Sequence, residues 1–92
     1  MRSVLVTGAS KGIGRAIALQ LAADDFTVGV HYHRDEAGAQ ETLEAIVQAG
    51  GAGRLLTFDV GNREQCRTVL EQEIADHGAW YGVVSNAGIT RD

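Results

Sequence analysis

Four short, mainly apolar runs alternate with three stretches of helical periodicity along this 92-residue chain, and the first two runs are rich in β-branched residues. The runs cover residues 3–7, 27–32, 54–59 and 81–85, and a helical stretch follows each of the first three. A strand that is apolar along its whole length is buried on both faces, as in parallel sheets. The β-α-β-α-β-α-β order therefore predicts an α/β fold whose parallel strands are joined by right-handed crossovers.

The apolar spacing within the helical stretches predicts which residues face the sheet. Asn62 is expected to cap the third helix, with Gln65 completing a capping box. The expected inner-face residues are Ile13, Ile17 and Leu21 in the first helix, Leu43, Ile46 and Val47 in the second (residues 37–49), and Cys66, Val69, Leu70 and Ile74 in the third.

The composition excludes several classes of function. With 12 acidic and 8 basic side chains, the formal net charge is −4, whereas a nucleic-acid-binding surface needs clustered Lys and Arg. No apolar run approaches the roughly 20 residues that a membrane-spanning helix requires. The single cysteine, Cys66, cannot form an internal disulfide, which fits a reducing compartment. We therefore expect a cytoplasmic protein that binds neither nucleic acid nor membrane.

The most informative motif is Thr-Gly-Ala-Ser-Lys-Gly-Ile-Gly, at residues 7–14 between the first strand and the first helix. Backbone N–H groups at a helix start attract an anion, and glycines let a diphosphate approach the main chain. The spacing Gly-x-x-x-Gly-x-Gly differs from the general fingerprint Gly-x-Gly-x-x-Gly, and no Gly-Lys-Ser/Thr ends it as in a P-loop. The strand–turn–helix context favours a nucleotide site. A tight turn whose glycines serve packing alone is the alternative.

Two further motifs follow later strands: Asp59-Val60 comes after the third strand, and Asn86-Ala87-Gly88 after the fourth. With residues 7–14, they resemble the classical short-chain dehydrogenase/reductases, and among them most closely the beta-ketoacyl-[acyl-carrier-protein] reductases. The resemblance covers the whole chain. It implies a Rossmann-type parallel sheet with strand order 3-2-1-4 and helices on both faces. Residues 7–14 would then lie beside residues 86–88 at the topological switch point.

The resemblance also assigns residues to a dinucleotide. Asp59 is expected to accept a hydrogen bond from the adenine amino group, with Val60 against the ring, and residues 86–88 are expected to line the ribose and nicotinamide. The alternatives are a capping or solvated carboxylate for Asp59, and for Asn86 a turn residue whose amide joins neighbouring strands. The expected cofactor-binding residues are Gly8, Ser10, Lys11, Gly12, Ile13, Gly14, His33, Arg34, Asp59, Val60, Asn86, Ala87 and Gly88.

The end of the second strand indicates which nicotinamide cofactor is bound. NAD-binding domains place an acidic residue there for the ribose 2′-OH, whereas this chain reads Tyr-His-Arg over residues 32–34, with no carboxylate before Asp35. Lys11 and Arg34 would attract a 2′-phosphate, and in the resembled family a basic residue at the position of Lys11 often accompanies NADP preference. We therefore predict NADP(H). The alternative for Arg34 is a solvated pair with one of the two acidic residues that follow it.

The family's reaction uses a tyrosine with a lysine four residues further on, and this sequence has no such pair. Tyr32 has Glu36 at that spacing and Tyr81 has Ser85, while the single lysine, Lys11, lies in the glycine turn. We therefore expect no catalytic residue within residues 1–92, which should be inactive alone. We interpret them as the NADP-binding Rossmann half of a longer reductase domain, truncated after strand four.

The full-length protein is then expected to be an NADP-dependent oxidoreductase that reduces a carbonyl, such as a 3-oxoacyl thioester of fatty acid biosynthesis. Its partners would be a small-molecule or acyl-carrier-protein-linked substrate and, in a tetramer, copies of itself. The alternative is a non-catalytic dinucleotide-binding or regulatory module, if the chain is naturally complete. His31 and His33 share a strand face at a spacing that zinc can use, but no third ligand is suggested nearby, and we expect no metal site.

Overall fold

The computed structural model describes residues 2–86, which form four strands and three helices in the predicted alternating order. The strand starting at Ala52 differs from the expected run of residues 54–59, because pairing with the preceding strand begins at Thr27 opposite Ala52. The last strand is also shorter than expected. The elements are β1 (Ser3–Val6), α1 (Gly12–Ala23), β2 (Thr27–Tyr32), α2 (Glu36–Gln48), β3 (Ala52–Thr57), α3 (Arg63–His77) and β4 (Gly82–Val84).

The strands form one parallel sheet in the order β3-β2-β1-β4. Val4 of β1 pairs with Val28 of β2 on one side and with Gly82 of β4 on the other. The chain therefore turns to opposite sides of β1 after its first and third helices, which opens a crevice at the carboxyl end of β1. The 3-2-1-4 strand order is confirmed.

Helices cover both faces of the sheet, as predicted. Neighbouring residues of β1 point to opposite faces of the sheet. Val6 therefore packs against α1 and α2 on one face, and Leu5 packs against α3 on the other. The first face has the larger core. Its buried residues are Val6, Ala9, Ala18, Ala22, Val28, Val30, Ala39 and Ile46, and those of the second are Leu5, Leu56 and Phe58.

The buried face of α1 differs from the expected one. Gly14, Ala18 and Ala22 are buried at intervals of four, whereas Ile13, expected on the inner face, is 63% exposed. Ile17 and Leu21 pack partly buried at the margin of the larger core. Small side chains let this helix approach the sheet closely, so the stripe of larger residues is displaced to its flank.

The other helices also expose residues expected inside. Val47 of α2 and Ile74 of α3 are 57% and 46% exposed, and α2 instead buries the small or polar residues Gly38, Ala39 and Thr42 beside Ile46. No residue of α3 is fully buried; its Cys66, Val69 and Leu70 lie half-buried against the smaller core. None of the helices in residues 2–86 has the length and apolar character needed to cross a membrane.

Trp80 fixes α3 to the amino end of the sheet. Its ring packs against the smaller core and lies 4.8 Å from the guanidinium carbon of Arg54, whose Nε donates to Glu73 Oε1 at 2.7 Å. Gly29 of β2 leaves the space for this ring, since a Cβ there would lie 2.6 Å from a Trp80 ring carbon. Tyr81, the next residue, is 61% exposed.

Candidate functional site

A chain of buried hydrogen bonds crosses the carboxyl edge of the sheet and joins the exits of all four strands. Asn86 Nδ2, after β4, donates to Gly8 O at 3.1 Å, and Gly8 N, after β1, donates to Nδ1 of His31 in β2 at 3.0 Å. His31 Nε2 bonds with Phe58 O, after β3, at 2.8 Å. Asn86 is 3% exposed and His31 1%. These bonds position the loops that line the crevice.

The turn after β1 uses its first amides to hold the sheet together. Thr7 N donates to Val84 O at 3.0 Å and Ala9 N to His31 O at 2.9 Å, while Thr7 Oγ1 accepts from Asn86 N at 2.8 Å. The amides that remain for a ligand therefore lie further along, at the start of α1.

Within residues 2–86, α1 begins without a side-chain cap and without an acidic residue in its first turn. Lys11 occupies the N-cap position in an extended conformation, and Arg15 N makes the first intrahelical bond, to Lys11 O at 3.3 Å. The N–H groups of the preceding helical residues, Gly12 to Gly14, have no acceptor inside the helix. Together with the helix dipole, they form a site that suits an anion.

The glycines of this turn have different roles. Gly8 and Gly12 adopt positive φ angles of 63° and 60°, which side chains with a Cβ rarely adopt. A Cβ on Gly12 would meet nothing within 4 Å, whereas one on Gly14 would overlap Gly8 O and lie 2.7 Å from Asn86 Nδ2. Packing therefore explains Gly14, while Gly12 leaves an open approach to the helix start.

A partly buried network of polar side chains from α1 and α2 supports the turn, and no sequence pattern predicted it. Arg15 Nη2 donates to Ser10 O at 2.5 Å and to Gly38 O at 3.0 Å, and its Nε donates to Thr42 Oγ1 at 2.9 Å. Thr42 Oγ1 lies 2.8 Å from Ala9 O. The sequence feature that could have indicated this network is Thr42, a polar residue in the otherwise apolar buried face of α2. Ser10 itself is 1% exposed, so it lies beneath the turn's surface.

The exit of β2 presents exposed basic side chains, and the first carboxylate after it caps the next helix. His33 and Arg34 are exposed, and Arg34 forms no ion pair with residues 35–36 in the described part of the chain. The Asp35 carboxylate caps α2, accepting from Gly38 N at 3.0 Å. The first acidic side chain after β2 is therefore engaged by the helix that follows it.

Asp59 lies in the loop before α3 and its carboxylate does not cap that helix, so the capping alternative is wrong for it. Its Oδ1 accepts from Gly61 N at 2.8 Å, and its own N–H donates to Gln65 Oε1. Asn62 caps α3 as predicted, accepting from Gln65 N at 3.0 Å. The expected capping box is wrong in one respect: the Gln65 side chain bonds to Asp59 instead of Asn62. Val60 lies beside this turn and is 45% exposed.

Asn86 plays the strand-joining role weighed for it, through both its main-chain N–H and its side-chain amide. Ala87 and Gly88 lie outside the described residues. His31 and His33 do not form a metal pair, because His31 is buried with both ring nitrogens bonded to main-chain atoms. No group of three metal-ligating side chains occurs in the described residues.

These features define a dinucleotide-binding fold, and residues 2–92 match the sequence profile of the short chain dehydrogenase family. The chain belongs to this family. It is 43% identical over 90 residues to the 3-oxoacyl-[acyl-carrier-protein] reductase FabG of Aggregatibacter actinomycetemcomitans, covering 98% of this chain and 37% of that protein. It is 39% identical over 87 residues to glucose 1-dehydrogenase 2 of Bacillus subtilis (strain 168), covering 95% and 34%.

Solved structures of dehydrogenases and reductases also match this chain. The acetoin dehydrogenase YohF of Salmonella typhimurium matches with a TM-score of 0.84 and 34% identity, over 96% of this chain and 36% of that one. LugOII, a promiscuous reductase that catalyses keto-reduction at C1 during lugdunomycin biosynthesis, also matches with a TM-score of 0.84 and 34% identity, over 98% and 38%. The chain thus spans little more than a third of these relatives. The resemblance to short-chain dehydrogenases and to 3-oxoacyl-[acyl-carrier-protein] reductases is confirmed.

Proposed function

We propose that residues 1–92 are the cofactor-binding part of a longer reductase that uses NADP(H) to interconvert a carbonyl and a hydroxyl group. The observation that carries the proposal is the start of α1. Its uncapped amides open into the crevice beside β1, where the loops after β1 and β4 meet. A dinucleotide's diphosphate supplies the negative charge that such amides bind. When bound, the nicotinamide would donate or accept the hydride.

The residues of this chain would bind and orient the cofactor. The amides of Gly12 to Gly14 would hold the diphosphate, and the open surface at Gly12 would admit it. Asp59 and Val60 would contact the adenine from the loop after β3. Asn86 would fix the loop after β4, so that this loop faces the ribose and nicotinamide. Residues that transfer the proton would lie outside residues 1–92.

The preference for NADP(H) over NAD(H) rests on charge. Lys11 at the start of α1 and Arg34 after β2 are both exposed, and the Asp35 carboxylate is engaged by α2. A 2′-phosphate would therefore meet two cations, while the usual carboxylate partner of a free 2′-OH is missing. Charge-assisted hydrogen bonds contribute about 1.5–3 kcal/mol each when shielded, and less at exposed sites.

The proposed substrate is a carbonyl compound, either a small molecule or a 3-oxoacyl group carried by acyl carrier protein. The support is the similarity to proteins named 3-oxoacyl-[acyl-carrier-protein] reductase. A homotetramer in the cytoplasm is part of the same proposal, and rests on the family resemblance and the single cysteine.

Titration of NADPH and NADH against the naturally occurring chain tests the cofactor assignment. We expect NADPH to bind at least about tenfold more tightly, which corresponds to one charge-assisted contact. Arg34→Ala should weaken NADPH binding and leave NADH binding unchanged. Arg67→Ala is the matched control, because Arg67 is an exposed arginine of α3 that pairs with Glu71.

Equal affinities of the unmodified protein for the two cofactors would contradict the NADP assignment. Turnover of 3-oxoacyl thioesters is measured on the same protein. NADPH binding without turnover of any carbonyl would identify the non-catalytic module in place of the reductase.

A further inference from the structure

We propose that His31 is a positioning residue of the dinucleotide site, whose imidazole holds the glycine turn in its binding geometry through Gly8. The inference rests on the proposed function. It concerns a side chain that does not reach the crevice itself, since His31 is 1% exposed.

The main chain determines the protonation of both ring nitrogens. Gly8 N–H can only donate, so Nδ1, 3.0 Å away, must accept and carry a lone pair. Phe58 O can only accept, so Nε2, 2.8 Å away, must carry the proton and donate. His31 is therefore a neutral imidazole in a single tautomer, with one face of its ring near Phe58 at a centroid distance of 4.2 Å.

The two atoms that His31 joins belong to different parts of the proposed site. Gly8 begins the turn that leads to the amides of α1, and its carbonyl is held by Asn86 from the other side. Phe58 directly precedes Asp59, which we assign to the adenine. The sheet's own bonding is weak at this point, since Phe58 N and Tyr32 O are 3.4 Å apart. The imidazole therefore sets the spacing between the diphosphate turn and the adenine loop.

Packing alone does not explain this residue. An aliphatic side chain in a buried strand would fill similar space without the cost of burying two polar nitrogens. Without the ring, Gly8 N–H would be buried and unpaired in the native position, and the turn would relax to find another partner. Cofactor binding would then require the native turn with an unpaired Gly8 N–H, and the free-energy cost of that unpaired donor would lower the affinity for the cofactor.

The test uses three variants of the naturally occurring chain and a matched control. His31→Leu removes both bonds at similar volume. His31→Asn places an acceptor near the position of Nδ1 and can still bond to Gly8, whereas His31→Gln places a donor near the position of Nε2 and can bond only to Phe58. His77→Asn, in the exposed last turn of α3, is the control. The dissociation constant for NADPH and the kcat at saturating NADPH are measured for each.

We expect His31→Leu and His31→Gln to raise the dissociation constant about tenfold, the equivalent of one unsatisfied buried donor. His31→Asn should stay within about threefold of the unmodified protein. The kcat at saturating NADPH should change by less than about twofold throughout. A purely structural role would instead remove active molecules, which lowers the apparent kcat and leaves the dissociation constant unchanged.

Unchanged NADPH binding in His31→Leu, or equal weakening in His31→Leu and His31→Asn, overturns the positioning role alone. Absence of NADPH binding in the unmodified protein overturns the proposed function as well. Nitrogen NMR of the unmodified protein provides a test that needs no variant. It should show an unprotonated Nδ1 with scalar coupling across the hydrogen bond to the Gly8 amide, and a protonated Nδ1 overturns the proposal.

Discussion

The start of α1 differs from the starts of α2 and α3. Asp35 caps α2 and Asn62 caps α3, each through a side-chain oxygen that accepts a main-chain N–H at 3.0 Å, and each of those helices has a glutamate in its first turn. Helix α1 has Lys11 at the same position, no side-chain cap and no acidic residue in the first turn.

A capping side chain typically contributes about 1 kcal/mol, and a first-turn acid about 0.3–1 kcal/mol. The chain forgoes both at α1, the helix that starts at the crevice. A cap there would occupy the amides that a diphosphate needs, and an acid would repel it. The starts of α2 and α3 therefore stabilise the fold, whereas we assign the start of α1 to ligand binding.

The largest effect is expected from Gly14→Ala, which breaks the geometry of the open helix start. The new Cβ would overlap Gly8 O and crowd Asn86 Nδ2, so α1 must move away from the turn at a cost of about 1–3 kcal/mol in unfolding free energy. Displacement of two amides should weaken NADPH binding by roughly 100-fold.

Gly82→Ala is the control, because a Cβ there meets nothing within 4 Å. Thermal denaturation and cofactor titration measure both quantities. Normal NADPH affinity in Gly14→Ala would refute the assignment of these amides.

A smaller effect of mixed sign is expected from Lys11→Asp, which gives α1 the kind of cap that α2 has. Lys11 already has the extended backbone conformation of an N-cap residue, so the aspartate should stabilise the protein by about 0.5–1 kcal/mol. The same carboxylate should weaken NADPH binding at least about tenfold more than Lys11→Ala does, since Lys11→Ala removes charge without occupying the amides. Equal losses in Lys11→Asp and Lys11→Ala would mean that the amides do not contact the anion.

The smallest effect is expected from Asn62→Ala, which removes a cap away from the α1 amides. Loss of the bond to Gln65 N should lower the unfolding free energy by about 1 kcal/mol. The dissociation constant for NADPH should stay unchanged, because α3 keeps its remaining contacts with the sheet. Chemical denaturation and the same titration check this, and a large loss of NADPH affinity would show that the α3 start is part of the site.

The fold could be predicted from the sequence because its evidence is local and repeated. Each apolar run is followed by a helical stretch, and the motifs at residues 7–14, 59–60 and 86–88 each follow a strand. The positions of these motifs after successive strands indicated the protein family, and the family resemblance implied the strand order. For Asp59 and Asn86 the sequence left ligand contact and structural contact as alternatives, because a short motif does not show which neighbour a side chain meets.

The remaining features depend on contacts between distant residues. Periodicity placed Ile13 inside, but α1 approaches the sheet along Gly14, Ala18 and Ala22, and small residues carry little hydrophobic signal. Arg15 reads as an ordinary surface charge until the turn and α2 are brought beneath it. The role of His31 could not be predicted from the sequence, since both of its hydrogen-bond partners lie more than 20 positions away in the chain.

The central place of β1 in the sheet has a consequence for how the protein is made. Among the described strands β1 is synthesised before the others; it pairs on one side with residues 27–30, but its other edge must wait for residues 82–84. During synthesis of everything in between, that edge presents unpaired main-chain groups to the cell. Completion of the sheet thus requires closure of the longest loop between paired strands of the described chain, and pairing over such a sequence separation is intrinsically slow and leaves the chain open to misassembly until it occurs.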